Sequence, residues 1–128
     1  MSFQSVTPVT MALDTSADLP QHRFVSPGAS GVVQATAALG TVGVSLEGFV
    51  AADFAAGNED GVIPVAIAGI VEVEAGAAVA VGAVVTSDAS GQAVTAASPA
   101  LAQGVALSAA GAAGQFITVL LQPTAVSQ

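Results

Sequence analysis

VIPVAIAGIVEVEAGAAVAVGAVVTSDASGQAVT, running from Val62 to Thr95, carries the strongest structural signal in this chain. It opens on an apolar run, Val62 to Val73, rich in the β-branched residues that suit a pleated surface. Glu72 and Glu74 close the run, spaced to point to the same side of a strand. Ala75-Gly76 reads as a turn, Ala77 to Val81 as a short extended segment, and Gly82 as a second break. Ala83 to Ser87 and Gln92 to Thr95 then flank Asp88-Ala89-Ser90-Gly91. Two β-prone runs around a four-residue loop ending in glycine predict a hairpin, with Gly91 in the left-handed conformation. No helical period runs through this stretch.

On either side the chain continues in the same grammar. Gln21 to Val25 reads as the first strand, closed by the turn Ser26-Pro27-Gly28. Gly31 to Thr36 and Gly40 to Leu46 read as further strands, and Phe49 to Ala56 is the one helix candidate, stopped by Gly57. Asn58 to Gly61 is a polar turn. Downstream, Gln103 to Leu107 and Gln115 to Gln122 complete the strands. An internal echo links Gly43-Val44-Ser45-Leu46, followed by apolar Val62 to Ala68, with Gly104-Val105-Ala106-Leu107, followed by Phe116 to Leu121. Such short matches recur in small sheets, and here they support an all-β sandwich or barrel with regularly spaced strands. The division expected is an extended N-terminal arm over 1–21, a β-rich domain over 22–122 and a tail over 123–128.

Composition narrows the possible roles. Hydrophobic residues make up 53% of the 128, but alanine, valine and glycine carry most of that fraction, with five Phe and neither Trp nor Tyr. Burial is worth ~0.8 kcal/mol per CH₂, so an alanine-rich interior stabilises weakly. A chain of this size also buries a modest share of its surface, which predicts subunits that share apolar area. The formal charge is -8, Arg23 is the single base, and no charged residue follows Asp88. With one Arg and no Lys to displace counterions, nucleic-acid binding and attraction to an anionic membrane are excluded. With no cysteine there is no disulfide framework, and the first residues lack the basic start and apolar run of a signal peptide. Synthesis in the cytoplasm is expected, with the protein staying there unless it joins a particle that leaves the cell.

The arm dots apolar residues through a Thr/Ser-rich lead: Phe3, Val6, Val9, Met11 and Leu13. They are the candidate contacts of an extended arm, laid in alternation onto a partner; the other reading is a frayed terminus. Deleting residues 1–20 is then expected to leave a folded domain that binds less well.

Reactive constellations are few. His22 beside Arg23 has no Cys or second His to complete a metal site, so a strand-edge or interface histidine is expected. Glu72 and Glu74 could form a carboxylate pair, but sugar sites of that kind add aromatic platforms, and a solvated strand face fits better. Asn58, Glu59 and Asp60 lack the alternating ligands of a calcium loop. Asp88, Ser90 and Gly91 have turn chemistry, Asp88 accepting from its own backbone. A lipoyl or biotinyl carrier needs a lysine at the hairpin tip, and there is none. No catalysis, metal or cofactor is expected.

The segments Val65 to Val73, Ala75 to Val85 and Thr86 to Gln92, followed by Gly104 to Leu107 and the closing Phe116 to Leu121, resemble the capsid cement (decoration) proteins of tailed bacteriophages. Phe24-Val25-Ser26-Pro27-Gly28 is similar to that family's opening, an aromatic–apolar pair before a Pro-Gly turn. The resemblance covers residues 23–122 and implies a compact, β-tulip-like domain, often a trimer, on the outer face of a phage capsid. It further implies binding after the shell expands and clamping of adjacent major capsid protein subunits. The alternatives are a β-sandwich module of a head fibre or appendage that recognises a glycan or cell-surface ligand, and a hydrolase using Glu72 and Glu74.

Overall fold

The computed structural model describes residues 5–36, 41–57, 61–96 and 102–121. Among these residues nine strands and one short helix follow in the order β1 (Ser5–Ala12), β2 (Phe24–Gly28), β3 (Gly31–Gln34), β4 (Gly43–Ser45), α1 (Ala51–Ala55), β5 (Val62–Glu74), β6 (Val84–Ser87), β7 (Ala93–Thr95), β8 (Gly104–Ala106) and β9 (Phe116–Leu121). They build one antiparallel sheet in the order β3-β2-β4-β5-β9-β8-β6-β7, with β1 added along β5. The expected all-β fold with at most one short helix is what forms.

The apolar run at the centre of the sequence becomes β5, the longest strand, and most of the sheet hangs from it. Its first part pairs with β1 on one edge and with β4 on the other, and Gly69 to Glu74 pair with β9. The hairpin around Asp88 is present as β6 and β7, paired from Ser87↔Ala93 to Val85↔Thr95. Gly91 has φ 73°, the conformation expected of it.

Three local readings change. The first strand is β1, well before Gln21. Ser26, Pro27 and Gly28 belong to β2, because Gly28 pairs with Gly31 and the turn falls on Ala29-Ser30. Pro27 is tolerated there because β4 reaches only Phe24 and Val25, so its N side needs no ladder partner. The helix is shorter than expected. None of its residues is buried, so no apolar face extends it, and the Asp18 carboxylate accepts from Ala51 N–H at its start.

The echo in the sequence is the trace of a duplicated architecture. Residues from β1 into the first part of β5 form one lobe, and residues from the second part of β5 to β9 form the other. In the first, the strands run β1-β5-β4-β2-β3, and a parallel bridge between Leu13 and Val32 draws the two ends together. In the second they run β5-β9-β8-β6-β7, drawn together by a parallel bridge between Ala75 and Ala93. The antiparallel bridge Leu19↔Phe49 has its counterpart in Val79↔Ala110.

The interiors match position by position. Leu13, Leu19, Val25, Val32, Phe49, Ile63 and Val65 fill the first lobe. Ala75, Val79, Val85, Ala93, Ala110, Ile117 and Val119 stand at the matching places in the second. Alanine replaces Leu13, Val32 and Phe49, so the second lobe is the more thinly filled. Its cluster continues across the joint into Phe24, Ala35, Val44 and Ala66, each 0% exposed, which compensates for part of the missing volume.

Candidate functional site

The two lobes meet at a seam built around Arg23, the single base. Its Nε and Nη2 donate to Glu74 Oε1 at 3.2 and 3.1 Å, while Nη1 donates to Gln34 Oε1 at 3.1 Å and to Ser90 O at 2.9 Å. Gln92 Nε2 donates to the other carboxylate oxygen of Glu74 at 2.9 Å. Arg23 and Gln34 belong to the first lobe; Glu74, Ser90 and Gln92 belong to the second. With the two charged side chains 17% and 21% exposed, water screens this ion pair only in part. Backbone bonds run alongside: Phe24 N–H donates to Gly91 O at 2.7 Å and Glu74 N–H to His22 O at 3.0 Å.

His22 is an interface histidine, as expected from its isolation. Its ring meets Phe116 edge-on, with centroids 5.2 Å apart, and its Nδ1 is buried without a hydrogen-bond partner among the described residues. It is also the non-glycine residue with positive φ among the described residues, at 64°. The matching position in the second lobe is Gly82, with φ 86°.

Glu74 is held by Arg23 and Gln92 rather than standing on a solvated face, which corrects the sequence reading for that residue. Asp88 behaves as expected, its Oδ1 accepting from Ser90 N–H at 2.8 Å and Gln92 N–H at 2.9 Å. Asn58, Glu59 and Asp60 lie outside the described residues. Among those described, no three His, Cys, Asp or Glu side chains group as a metal site, and no helix is long and apolar enough to cross a membrane.

The candidate arm residues fall in three places. Phe3 lies outside the described residues. Met11 and Leu13 face their own lobe: Met11 sits opposite Ile63 and packs on the first core, and Leu13 belongs to that core. Val6 packs against the larger cluster, and Val9, opposite Val65, remains 39% exposed. The alternation seen in the lead is therefore the alternation of β1, whose neighbour is β5 of the same chain.

Sequence reasoning passed over a set of exposed apolar side chains. Val81 is 65% exposed, and Val62, Phe116, Leu107, Val50 and Phe54 are also exposed. Val50 and Phe54 flank and occupy α1, which sits in the longer β4–β5 connection and has no counterpart between β8 and β9. A side chain that interrupts a run of glycine and alanine, as Val81 does, was the available signal.

A doubled antiparallel β fold, with one ion pair among the described residues joining its two halves, defines an all-β protein. A family model described as phage cement protein matches residues 3–121, and the chain belongs to that family. The crystal structure of the head fiber gp8.5 N base of bacteriophage phi29 has a similar fold, with a TM-score of 0.68 at 17% identity over 97% of this chain and 100% of that one. No curated protein matches the chain.

Proposed function

We propose that this cement protein sits on the outer surface of a phage head as a homotrimer and clamps adjacent major capsid protein subunits. The observation that carries the reading is the family match across residues 3–121. The surface agrees with it. A chain with one base and a formal charge of -8 suits a place outside the shell, away from packaged DNA. Apolar side chains left exposed around α1 offer area to a neighbour. A trimer multiplies weak contacts into a durable attachment. Synthesis takes place in the host cytoplasm, and the protein performs no catalysis.

Purified heads with and without the protein test this. Heads carrying it are expected to release DNA at a higher temperature, and cryo-EM density for it is expected over contacts between capsid subunits. Equal heat stability of the two preparations would refute the clamp.

The likeness to a head fiber base supports a second reading, in which the domain seats an appendage that recognises a glycan or cell-surface ligand. That reading predicts heads of equal heat stability and weaker adsorption to cells when the protein is missing.

A further inference from the structure

We propose that the seam joining the two lobes inside one chain is used again between chains, the second lobe of one copy receiving the first lobe of the next, head to tail. The duplication supplies the argument. In the first lobe, the outward-facing Phe24, Ala35, Val44 and Ala66 are each 0% exposed because the second lobe's cluster continues over them. The same register positions in the second lobe are Val84, Ala96, Val105 and Leu120. Val84 pairs with Val105, Val105 with Leu120, and Ala96 N–H donates to Val84 O as Ala35 N–H does to Phe24 O. All four are only partly buried. The second lobe thus carries the receiving face of the seam, and the described residues leave that face partly open.

The first lobe carries the complementary half. The second lobe presents Glu74 and Phe116 to the seam, and the matching positions in the first are Ala12 and Val62. Both are exposed, Val62 at 49%. Where Phe116 rests on the His22 ring, Val62 of an arriving copy meets Gly82, around which nothing lies within 4 Å of a Cβ position. Ala12 N–H then meets the Gly82 carbonyl, as Glu74 N–H meets that of His22. The charged members are gone: Ala83 stands where Arg23 does, and Ala12 where Glu74 does. The contact between copies is therefore apolar and neutral. A heterologous contact of this kind closes into a ring or runs on as a filament, and the trimer proposed above is the ring.

Sedimentation velocity of the full chain, without capsids, tests this separately from the capsid reading. Wild type is expected to associate, with an association constant changing less than about twofold between roughly 0.05 and 0.5 M NaCl. Val105→Asp on the receiving face and Ala12→Asp on the arriving face are each expected to give monomers with wild-type circular dichroism. If Val105→Asp unfolds, Ala96→Asp at the edge of the same face replaces it. An equimolar mixture of the two variants retains one intact contact per pair and should form dimers and nothing larger. A monomeric wild type, an unchanged oligomer in either folded variant, or a mixture that stays monomeric across rising concentration overturns the proposal. A monomeric wild type that still binds heads would assign the receiving face to the capsid protein instead.

Discussion

Arg23 shows how one side chain can join two halves of a fold. Four donated hydrogen bonds leave it little freedom, and three of them cross to the other lobe. Charge-assisted bonds at a half-buried site are worth about 1.5–3 kcal/mol, so Arg23→Met is expected to lower unfolding free energy by about 2 kcal/mol. A double-mutant cycle with Glu74→Gln should return a coupling energy of about 1 kcal/mol or more; additivity would mean the pair does not hold the seam. Asp14 offers a simpler case. The Ser16 hydroxyl, and then the Ser16 N–H, bond its carboxylate and hold its pKa below the usual carboxylate value. A lowered pKa in the fold stabilises it above the unfolded value, and that contribution disappears as pH falls through the folded one. Ser16→Ala should raise the Asp14 midpoint in an NMR titration.

The doubling of elements makes paired predictions possible. Gly43 on β4 and Gly104 on β8 lie under the backbone of the next strand, where a Cβ would collide with Ala66 O and Leu120 O respectively. Gly43→Ala and Gly104→Ala must each push two strands apart, and both are expected to destabilise by about 1–3 kcal/mol in chemical denaturation. A loss at one position alone would mean that the lobes are not equivalent there. β1 has a different fate from the detachable arm expected from its composition. Since it lines β5 and brings Leu13 into the first core, removing residues 1–20 takes away a strand and two core side chains, Leu13 and Leu19. That truncation should fail to fold cooperatively, and Leu13→Ala alone should cost about 3 kcal/mol.

Taken whole, the chain has a single trypsin site, and that site is part of the seam. The bond after Arg23 leads into Phe24, which is 0% exposed. Trypsin is therefore expected to cut only molecules whose lobes have parted, and cleavage rates should report the opening equilibrium. Glu74→Gln should speed cleavage by about the same factor as it weakens the seam. A wild type cut as fast as an unstructured peptide would contradict the buried geometry.

How much of this could be read before folding differs from feature to feature. The hairpin at Asp88, the strand from Val62 and the strands near Gly104 and Phe116 were legible, because β-branched runs, glycine turns and an Asp accepting from its own backbone act over a few neighbouring residues. The place of β1, the extent of the doubling beyond the echo of β4 and β5 in β8 and β9, and the clamp at Arg23 were not. Register across 50 or so residues leaves no local period, and alanine can stand where its counterpart is phenylalanine, as at Ala110 and Phe49. An isolated basic residue reads as surface until its partners, Glu74 and Ser90, are brought to it from the other end of the chain. Local chemistry thus set the class of fold and the turns, while long-range pairing settled which lead becomes core and which faces stay bare.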